Sequence, residues 1–449
     1  MKPLRSHFDP CLLLTQHLEQ MHQAARAIWN GHSQTLRGRS GDVWEWITDA
    51  ITFHDAGKGT NWFQIFITDP DHYRGNKKLK CHTPLSLLCV LAHGRELNWD
   101  WPRRLAVATL AAGHHSEFKT EKELRDVCDD AMIPVLERQI TTLDWNALDA
   151  ALGLRLTRIP PAEGLDVATE ADDLLEDLFE RLRKLKAPDR LSYRLRCQLA
   201  FSVLLEADKA FLAIAPVDVA RYLDRQPTDL PPILVEHFIA SKLASAINPL
   251  RDEVRVAFLS GLSATSETRI LTMTLPTGTG KTLLGATWAL EHRQRLSCNG
   301  SPAPKVIVVL PFLSIIDQTV KEYGDLLRSH VGAGDLLSYH SLSERTFDPD
   351  LDSKSQDFFL DTWQSDVVIT TFDQLLLALF SPRTKHQLRF HNLTDALIVL
   401  DEVQSVPCIL WEPLRQALTG LTELGSTHVL AMSATQPGFL PEALRAIAP

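Results

Sequence analysis

The chain has 449 residues, 45% of them hydrophobic, and a formal net charge of −10. This composition is typical of roughly two or three ordinary globular domains and excludes a uniformly basic surface, so a nucleic acid would have to bind in a local groove. Seven cysteines without a C-x-x-C pair, and no apolar run near the roughly 18 residues of a membrane span, favour a reducing, cytoplasmic location without disulfides or a zinc ribbon.

The first predicted elements are two amphipathic helices. Apolar residues recur at steps of four and three from Leu14 to Ile28, and at helical spacing again from Val43 to Phe53. His17 lies near the centre of the first apolar stripe, where it is either a ligand or a half-buried core histidine.

The second helix delivers His54 and Asp55, an adjacent imidazole and carboxylate, at its end. Such a pair suits a metal site, because the imidazole can fill one corner while the two carboxylate oxygens bridge two ions. The same dipeptide also occurs in surface turns and helix caps. The metal interpretation therefore depends on further ligands elsewhere in the chain.

Three more histidines stand at predicted helix ends. His82 directly precedes Thr83-Pro84, an N-cap followed by a proline at the first helical position. His114 and His115 follow the apolar helix predicted for Leu105–Ala112. Adjacent imidazoles at a helix terminus favour metal binding.

The segment before His82 is a basic loop that contains Lys77, Lys78 and Lys80. These lysines either line a phosphate path or belong to a solvated surface loop. The sequence leaves both alternatives open.

A long apolar helix is predicted for Leu195–Ile214. Asp208 aligns with Leu204 and Phe211 on its buried face. A buried, unpaired carboxylate is costly, so Asp208 requires a cation, either a metal ion or a basic side chain.

The order of these residues resembles that of HD-domain metal-dependent phosphohydrolases, and most of all the HD nucleases of the type I CRISPR helicase-nuclease family. Gly57-Lys58 directly after the His-Asp pair and the paired histidines belong to this pattern. The resemblance implies that Asp55 and Lys58 are catalytic, with Lys58 beside the scissile phosphate. It assigns the first metal site to His17, His54, Asp55 and Asp208. It assigns the second metal site to Asp55, His82, His114 and His115.

This ligand set has five imidazoles and two carboxylates, which favours Fe, Ni, Co, Mn or Zn over Mg. Two such ions about 3.5–4 Å apart can activate a water and stabilise the leaving oxygen of a phosphodiester. We therefore expect two divalent transition metals such as Fe, Ni, Co or Mn at this site.

The second half begins with a predicted strand over Ile270–Leu275 and a glycine-rich loop. Backbone N–H groups of this loop would surround the β-phosphate of ATP, Lys281 would reach the β- and γ-phosphates, and Thr282 would hold Mg²⁺. Leu275 stands where the strict pattern has glycine. The predicted nucleotide-binding residues of the loop are Thr277, Gly278, Thr279, Gly280, Lys281 and Thr282.

Further strands alternate with helices, which predicts a parallel sheet covered by helices on both faces. These strands are predicted for Val306–Leu310, Val367–Thr371, Leu397–Leu400 and Val429–Met432. Asp401 and Glu402 follow the third of them, so that Asp401 can contact Mg²⁺ through water and Glu402 can orient the attacking water. Gln404, two residues further on, is assigned to the same nucleotide site.

This set resembles the first RecA-like domain of superfamily 2 helicases. The resemblance places Pro311-Phe312 and Thr370-Thr371-Phe372 against a DNA strand, and couples Ser433 and Thr435 to movement. Arg251, ahead of the loop, is either part of an adenine-recognising segment or a surface charge. Val403-Gln404 after the acidic pair again matches the type I CRISPR helicase-nuclease family.

We therefore predict a multidomain chain, in which an all-α HD domain precedes an α/β RecA-like domain with a parallel sheet. The predicted ranges are 1–225 for the HD nuclease domain, 226–245 for a linker and leading helix, and 246–449 for the first RecA-like domain. A second RecA-like domain is missing from this sequence, so we expect the remaining helicase part to be on another chain or to have been removed. Alone, the chain is expected to bind ATP weakly and to hydrolyse it poorly.

The resemblance implies metal-dependent cleavage of single-stranded DNA, coupled in the complete enzyme to ATP-driven 3'-to-5' translocation and unwinding. It also implies recruitment by the RNA-guided surveillance complex (Cascade). Two other functions stay open. One is an HD nucleotidase or phosphohydrolase with a regulatory ATPase domain, and the other is a non-catalytic, ATP-gated docking module.

Overall fold

The structure is a computed structural model. It describes residues 3–127, 129, 131–159, 167–242, 248–264, 268–297, 300–332, 334–340, 347–435, 438 and 445–446. Its residues group into two units. The first unit is formed by Met1–Trp29, Ser40–Val219 and Pro382–Leu388, and the second by Asn30–Arg39, Ala220–Ser381 and Arg389–Pro449. The domain ranges predicted from the sequence stay predictions.

The first unit is almost entirely helical, as the spacing of its apolar residues predicts. Its α-helices are Leu14–Asn30, Gly41–Phe53, Asn61–Thr68, Thr83–Glu96, Trp101–Gly113, Glu121–Asp126, Ile133–Ile140, Trp145–Leu152, Val167–Lys184, Ala187–Ala213 and Thr384–Gln387. A short 3-10 helix spans Ala56–Gly59. A small antiparallel hairpin, Arg5–His7 with Leu12–Leu13, precedes the first helix.

Local chemistry fixes where the helices of this unit begin and end. The Asp100 carboxylate accepts a hydrogen bond from the Arg103 backbone N–H, which caps helix Trp101–Gly113. Helix Gly41–Phe53 ends where the His54 backbone N–H donates to the carbonyl oxygen of Ala50. These helix ends are the positions at which the predicted ligands appear.

The second unit is built on a seven-stranded sheet in which every described pairing is parallel. In spatial order its strands are Leu336–Tyr339, Val367–Thr371, Val306–Leu310, Leu397–Leu400, His428–Ser433, Ile270–Thr274 and Arg445–Ala446. Its main α-helices are Gln34–Arg39, Val219–Leu223, Ile233–Ala240, Asn248–Ala264, Lys281–Leu296, Leu313–Leu327, Ser353–Asp361, Phe372–Phe380 and Trp411–Leu424.

The core of the second unit explains this order. The central strands consist of consecutive buried residues, as expected for a parallel sheet covered on both faces. Trp288 and Phe258 pack against the sheet from helices and are almost fully buried. The predicted order, a helical domain followed by an α/β domain with a parallel sheet, is confirmed. None of the described helices is long and apolar enough to span a membrane.

Candidate metal centre and nucleotide site

Five helices and their ends bring together the seven residues predicted as metal ligands. His17 lies on helix Leu14–Asn30 and Asp208 on helix Ala187–Ala213, while the other five ligands stand at the ends of three further helices. All seven are buried except His115, which is more exposed. Residues far apart in the sequence therefore line one pocket in the first unit.

Asp55 lies at the centre of this pocket. Its Oδ2 atom is 3.3 Å from His54 Nε2 and 3.7 Å from His17 Nε2. Its Oδ1 atom is 3.0 Å from His82 Nε2 and 3.8 Å from His114 Nε2. The two carboxylate oxygens thus face two different sets of imidazoles.

These sets form two ligand groups that share Asp55. One consists of Asp55, His82, His114 and His115, and the other of His17, His54 and Asp55, with the ligand atoms of each group within 4.8 Å of one another. Asp208 adjoins the second group, since its Oδ1 atom is 3.1 Å from His17 Nε2 and 3.8 Å from His54 Nε2. The structure therefore brings all seven predicted residues together around Asp55, and their division between two metal ions stays a prediction.

Backbone carbonyl groups orient two of the imidazoles. His54 Nδ1 donates to the carbonyl oxygen of Ile51, and His114 Nδ1 to that of Ala111, each over 2.8 Å. Because a carbonyl oxygen only accepts, the proton of each neutral ring is held on Nδ1 and the lone pair of Nε2 faces the pocket. This tautomer is the one commonly found in metal-binding histidines.

The pocket also contains buried polar atoms that make no hydrogen bond of good geometry with a described residue, although the ion-pair distances given above place charged groups close to them. They are His54 Nε2, Asp55 Oδ1 and His114 Nε2. Buried polar atoms are usually paired, and these three converge on the same space. The donor set therefore fits divalent metal ions.

Burial and charge set the protonation of these ligands. Burial lowers the pKa of His82 to about 4 and that of His114 well below its usual value, so both rings are neutral at pH 7. Burial alone would raise the pKa of Asp55, but the charges of His54 and Lys58 hold it well below its ordinary range. Asp55 is therefore ionised and His82 and His114 are neutral, as metal binding requires.

The pKa of His54 moves in the opposite direction. Burial lowers it, but Asp55 and Asp208 outweigh burial and raise it above the ordinary value. A proton on His54 thus supplies positive charge to two buried carboxylates. A metal cation would supply that charge in its place.

Ser6 is a pocket residue that the sequence analysis missed. Its hydroxyl donates to Asp55 Oδ2 at 3.3 Å and accepts from Lys58 Nζ at 3.2 Å. Lys58 is itself buried, with Nζ 2.6 Å from Asp55 Oδ2. Ser6 lies on a strand of three residues, Arg5–His7, which is too short to give a periodic signal in the sequence.

Gly57 is required because the chain passes very close to His82. A Cβ atom at position 57 would lie 2.2 Å from the His82 carbonyl oxygen. We expect Gly57→Ala to lower the free energy of unfolding by about 1–3 kcal/mol and to displace His82. Thermal unfolding and the number of bound metal ions, measured by elemental analysis, check this prediction.

Gly41→Ala is the matched control for this substitution, since an added Cβ at position 41 would meet no atom within 4 Å. It is expected to keep both the stability and the metal content. A Gly57→Ala protein that matched this control in metal content would contradict the assignment of His82 as a ligand.

The nucleotide loop lies between strand Ile270–Thr274 and helix Lys281–Leu296. Gly278 and Gly280 adopt left-handed backbone conformations, with φ of 84° and 94°. A side chain is strained in this region, so glycine suits both positions. The loop therefore presents its backbone N–H groups at the start of a long helix, as phosphate binding requires.

Arg251 contacts this loop directly. Its guanidinium donates two hydrogen bonds to the Gly278 carbonyl oxygen, at 3.1 and 2.9 Å from Nε and Nη2. This contact supports the backbone of the loop. The two interpretations of Arg251 drawn from the sequence stay predictions.

A chain of polar contacts connects the loop to the ends of two strands. Lys281 Nζ lies 2.5 Å from Glu402 Oε1, and Gln404 Nε2 donates to Glu402 Oε2 at 2.6 Å. The Ser433 hydroxyl donates to Gln404 Oε1 at 2.5 Å. The residues predicted to bind nucleotide are thus linked to Ser433, which the resemblance couples to movement.

The environment of Asp401 disfavours the ionised form of its carboxyl group. Burial raises its pKa to about 6, in spite of the opposing charge of Lys281. Its pKa in the folded state therefore exceeds the ordinary value of 3.8, so the folded chain binds more protons than the unfolded chain between these values. Stability is lost as the pH rises through this window.

Asp401→Asn is expected to remove the loss of stability that the buried, ionised carboxylate causes. In the absence of nucleotide and Mg²⁺, the variant should be more stable than wild type by about 1–3 kcal/mol at about pH 8, and by less at about pH 5. Thermal unfolding at both pH values checks this, with the exposed Asp252→Asn as control. A gain of equal size at both pH values would contradict the assigned pKa.

The fold and these two sites define a class of protein, an HD domain followed by a RecA-like helicase domain. Comparison with protein families is more specific. Residues 4–206 match the Cas3 HD domain, and residues 257–442 match the DEAD/DEAH box helicase domain. One half of the chain thus matches the Cas3 HD domain and the other the DEAD/DEAH box helicase domain, which confirms the resemblance found in the sequence.

Individual relatives agree with this assignment. The chain is 27% identical over 481 aligned residues to a CRISPR-associated nuclease/helicase Cas3 of Haloferax volcanii, covering 96% of the chain and 49% of the relative. The crystal structure of T. fusca Cas3-AMPPNP shares the fold, with a TM-score of 0.59 at 18% identity over 95% of this chain and 49% of that one. The chain therefore spans about half the length of these relatives.

A solved structure of a CRISPR RNA-guided surveillance complex, pre-nicking, contains a chain of similar fold. The match has a TM-score of 0.51 at 18% identity, and it covers 97% of this chain and 48% of that one. At this identity the similarity shows the fold alone.

Proposed function

We propose that this chain is the N-terminal part of a type I CRISPR interference nuclease-helicase, in which the HD pocket cleaves single-stranded DNA. The observation that carries the proposal is the pair of ligand groups that share Asp55 and leave three buried polar atoms without a hydrogen bond of good geometry to a described residue. In the complete protein, ATP-driven 3'-to-5' translocation would feed the strand to this pocket in the cytoplasm. Recruitment would be by the RNA-guided surveillance complex.

The pocket residues would hold two divalent transition metals such as Fe, Ni, Co or Mn. His17, His54, Asp55 and Asp208 would hold one ion, and Asp55, His82, His114 and His115 the other. Such ions supply a nucleophilic water and stabilise the charge of the leaving oxygen. The protein keeps His82 and His114 neutral through burial, as their lowered pKa values indicate.

Lys58 would attract and orient the substrate phosphodiester. Lys58 is 3% exposed, and its ammonium group lies between Asp55 and Ser6, at 2.6 and 3.2 Å. A cation in such a dry site interacts with a phosphate more strongly than a cation in water does. Its side chain is already ordered, so little conformational entropy is lost on binding.

In the second unit, Thr277–Thr282 and Asp401 would bind ATP and Mg²⁺, and Glu402 would orient the attacking water. Glu402 has a left-handed backbone, with φ of 50°, which costs free energy for a residue other than glycine. Strain of this kind is often found at active sites. It supports, together with the contact to Lys281, a functional role for this carboxylate.

Cleavage of circular single-stranded DNA by the chain, without ATP, tests the nuclease proposal. The reaction is run separately with Mn²⁺, Fe²⁺, Co²⁺, Ni²⁺ and Mg²⁺, with EDTA as the negative control and elemental analysis of bound metal. We expect linear and shortened products with one or more transition metals. Bound metal without cleavage by any ion would overturn the proposal and favour a nucleotidase or a docking module.

A further inference from the structure

A row of aromatic rings runs from the metal pocket towards the surface. Phe63, on helix Asn61–Thr68, packs edge-to-face on His82, with ring centroids 5.4 Å apart. One turn further along the helix, the half-buried ring of Phe66 lies 6.0 Å from that of Phe63. Tyr73 follows, with its ring 5.5 Å from Phe66. The row therefore runs from a pocket histidine to the exposed loop that contains Tyr73.

Basic side chains accompany these rings. Lys80 Nζ lies 3.5 Å from the centroid of Phe66 and 5.9 Å from that of Tyr73. Four basic and two acidic residues occupy positions 69–80 of a chain whose net charge is −10. The described contacts of Arg74 are with the carbonyl oxygens of Asp71 and Tyr73. The loop is thus a local basic surface.

The loop is held in place rather than loosely attached. Gln139 Nε2 donates to the carbonyl oxygens of Leu79 and Cys81, at 2.9 and 2.7 Å. The Tyr73 hydroxyl donates to the Asn76 carbonyl oxygen at 3.2 Å. Gly75 allows this approach, since a Cβ there would lie 2.3 Å from the Tyr73 oxygen. A merely solvated loop would not need these contacts.

We propose that Phe66, Tyr73 and Lys80 form a platform that holds a single-stranded nucleic acid next to the HD pocket. The inference rests on the proposed nuclease function and adds a specific binding surface to it. Nucleobases stack on accessible parts of aromatic rings whatever their sequence, while lysines follow the phosphates. A paired duplex keeps its bases stacked inside, so the platform selects single strands.

Binding of a short, fluorescently labelled oligothymidine to the chain in EDTA tests the platform. Phe66→Ala and Phe66→Leu are each expected to weaken binding by about 5- to 20-fold, because both lose the aromatic face. Phe66→Leu keeps an apolar side chain in the same place and so separates stacking from loss of folding. An abasic oligonucleotide of the same length should be much less affected.

Lys80→Gln is expected to weaken the normal and the abasic strand alike. It should also make the negative slope of log affinity against log salt less steep by about 0.7, the value for one phosphate contact on a single strand. The exposed Lys122→Gln, elsewhere in the same unit, is the control of equal charge change. Its affinity for both strands should equal that of wild type.

Three results would overturn the platform. The first is that Phe66→Leu binds oligothymidine as tightly as wild type does. The second is that this variant loses the same affinity for the normal and for the abasic strand. The third is that wild type binds a duplex as tightly as the single strand. Oligouridine is compared in parallel, since stacking does not read the sugar and should hold RNA and DNA similarly.

Hydrolysis of bis(4-nitrophenyl) phosphate by wild type with Mn²⁺ separates this inference from the proposed function. If wild type hydrolyses this diester and the Phe66 and Lys80 variants bind oligothymidine as tightly as wild type does, the proposed platform is wrong. The proposed nuclease function is then unaffected. Suppose instead that wild type binds oligothymidine, that Phe66→Leu weakens this binding, and that wild type cleaves neither the diester nor circular single-stranded DNA. This result would overturn the proposed nuclease function and leave the proposed platform standing.

Discussion

Asp55→Ala is expected to abolish metal-dependent cleavage of single-stranded DNA by this chain. Asp55 contributes an oxygen to each of the two ligand groups, so its loss affects both at once. Metal ions supply several kcal/mol of transition-state stabilisation, and a loss of about 4 kcal/mol corresponds to a rate reduction of about 1,000-fold. Cleavage of circular single-stranded DNA over a range of enzyme concentrations measures this reduction.

The same substitution is also expected to lower stability, which has to be separated from the loss of chemistry. It leaves the buried ammonium of Lys58 without its carboxylate, and breaking a buried ion pair costs about 3–5 kcal/mol. Asp55→Asn keeps the shape of the side chain and serves as the second variant. Both variants should contain less metal than wild type.

Asp49→Ala is the control for removal of an acidic side chain from the same unit. Asp49 is mostly buried and accepts a hydrogen bond from Arg103 Nε at 2.6 Å, away from the pocket ligands. This variant should lose stability but keep its metal and its cleavage. If Asp55→Asn cleaved single-stranded DNA at the same rate as Asp49→Ala, this result would contradict the central role of Asp55.

The helix-borne part of the metal pocket could be predicted from the sequence, because helical periodicity shows which positions stand at helix ends. The spacing from Val43 to Phe53 placed His54 and Asp55 correctly after a helix, and Thr83-Pro84 placed His82 at the start of another. Convergence of these ends could not be derived from spacing. It depends on packing between residues that are more than 190 positions apart, as in the contact of His17 with Asp208.

The parts that escaped prediction are short or lie at an edge. Strand Leu336–Tyr339 has four residues at one edge of the sheet and alternates between buried and half-buried positions. Arg445–Ala446, at the other edge, has two residues. Segments of this length give too few apolar positions to distinguish a strand from a loop. The hairpin that carries Ser6 escaped for the same reason.

Lys281→Ala is expected to weaken ATP binding by about 30-fold or more. Lys281 is buried and its ammonium group would bind the phosphates, and hydrogen bonds to charged groups contribute about 1.5–3 kcal/mol each. A loss of about 2 kcal/mol corresponds to this change in Kd. Titration with a fluorescent ATP analogue and Mg²⁺ measures it, with the exposed Lys321→Ala of the same unit as the control.

Glu402→Gln is the most informative second variant, because it is expected to change the affinity for ATP in the direction opposite to that of Lys281→Ala. Glu402 Oε1 lies 2.5 Å from Lys281 Nζ, so ATP has to displace this carboxylate before the lysine can reach a phosphate. Removing the charge of Glu402 should therefore strengthen ATP binding several-fold, while Lys281→Ala weakens it. Equal losses in both variants would mean that the ion pair holds the loop in its binding shape, and that Lys281 acts through Glu402 instead of contacting the nucleotide.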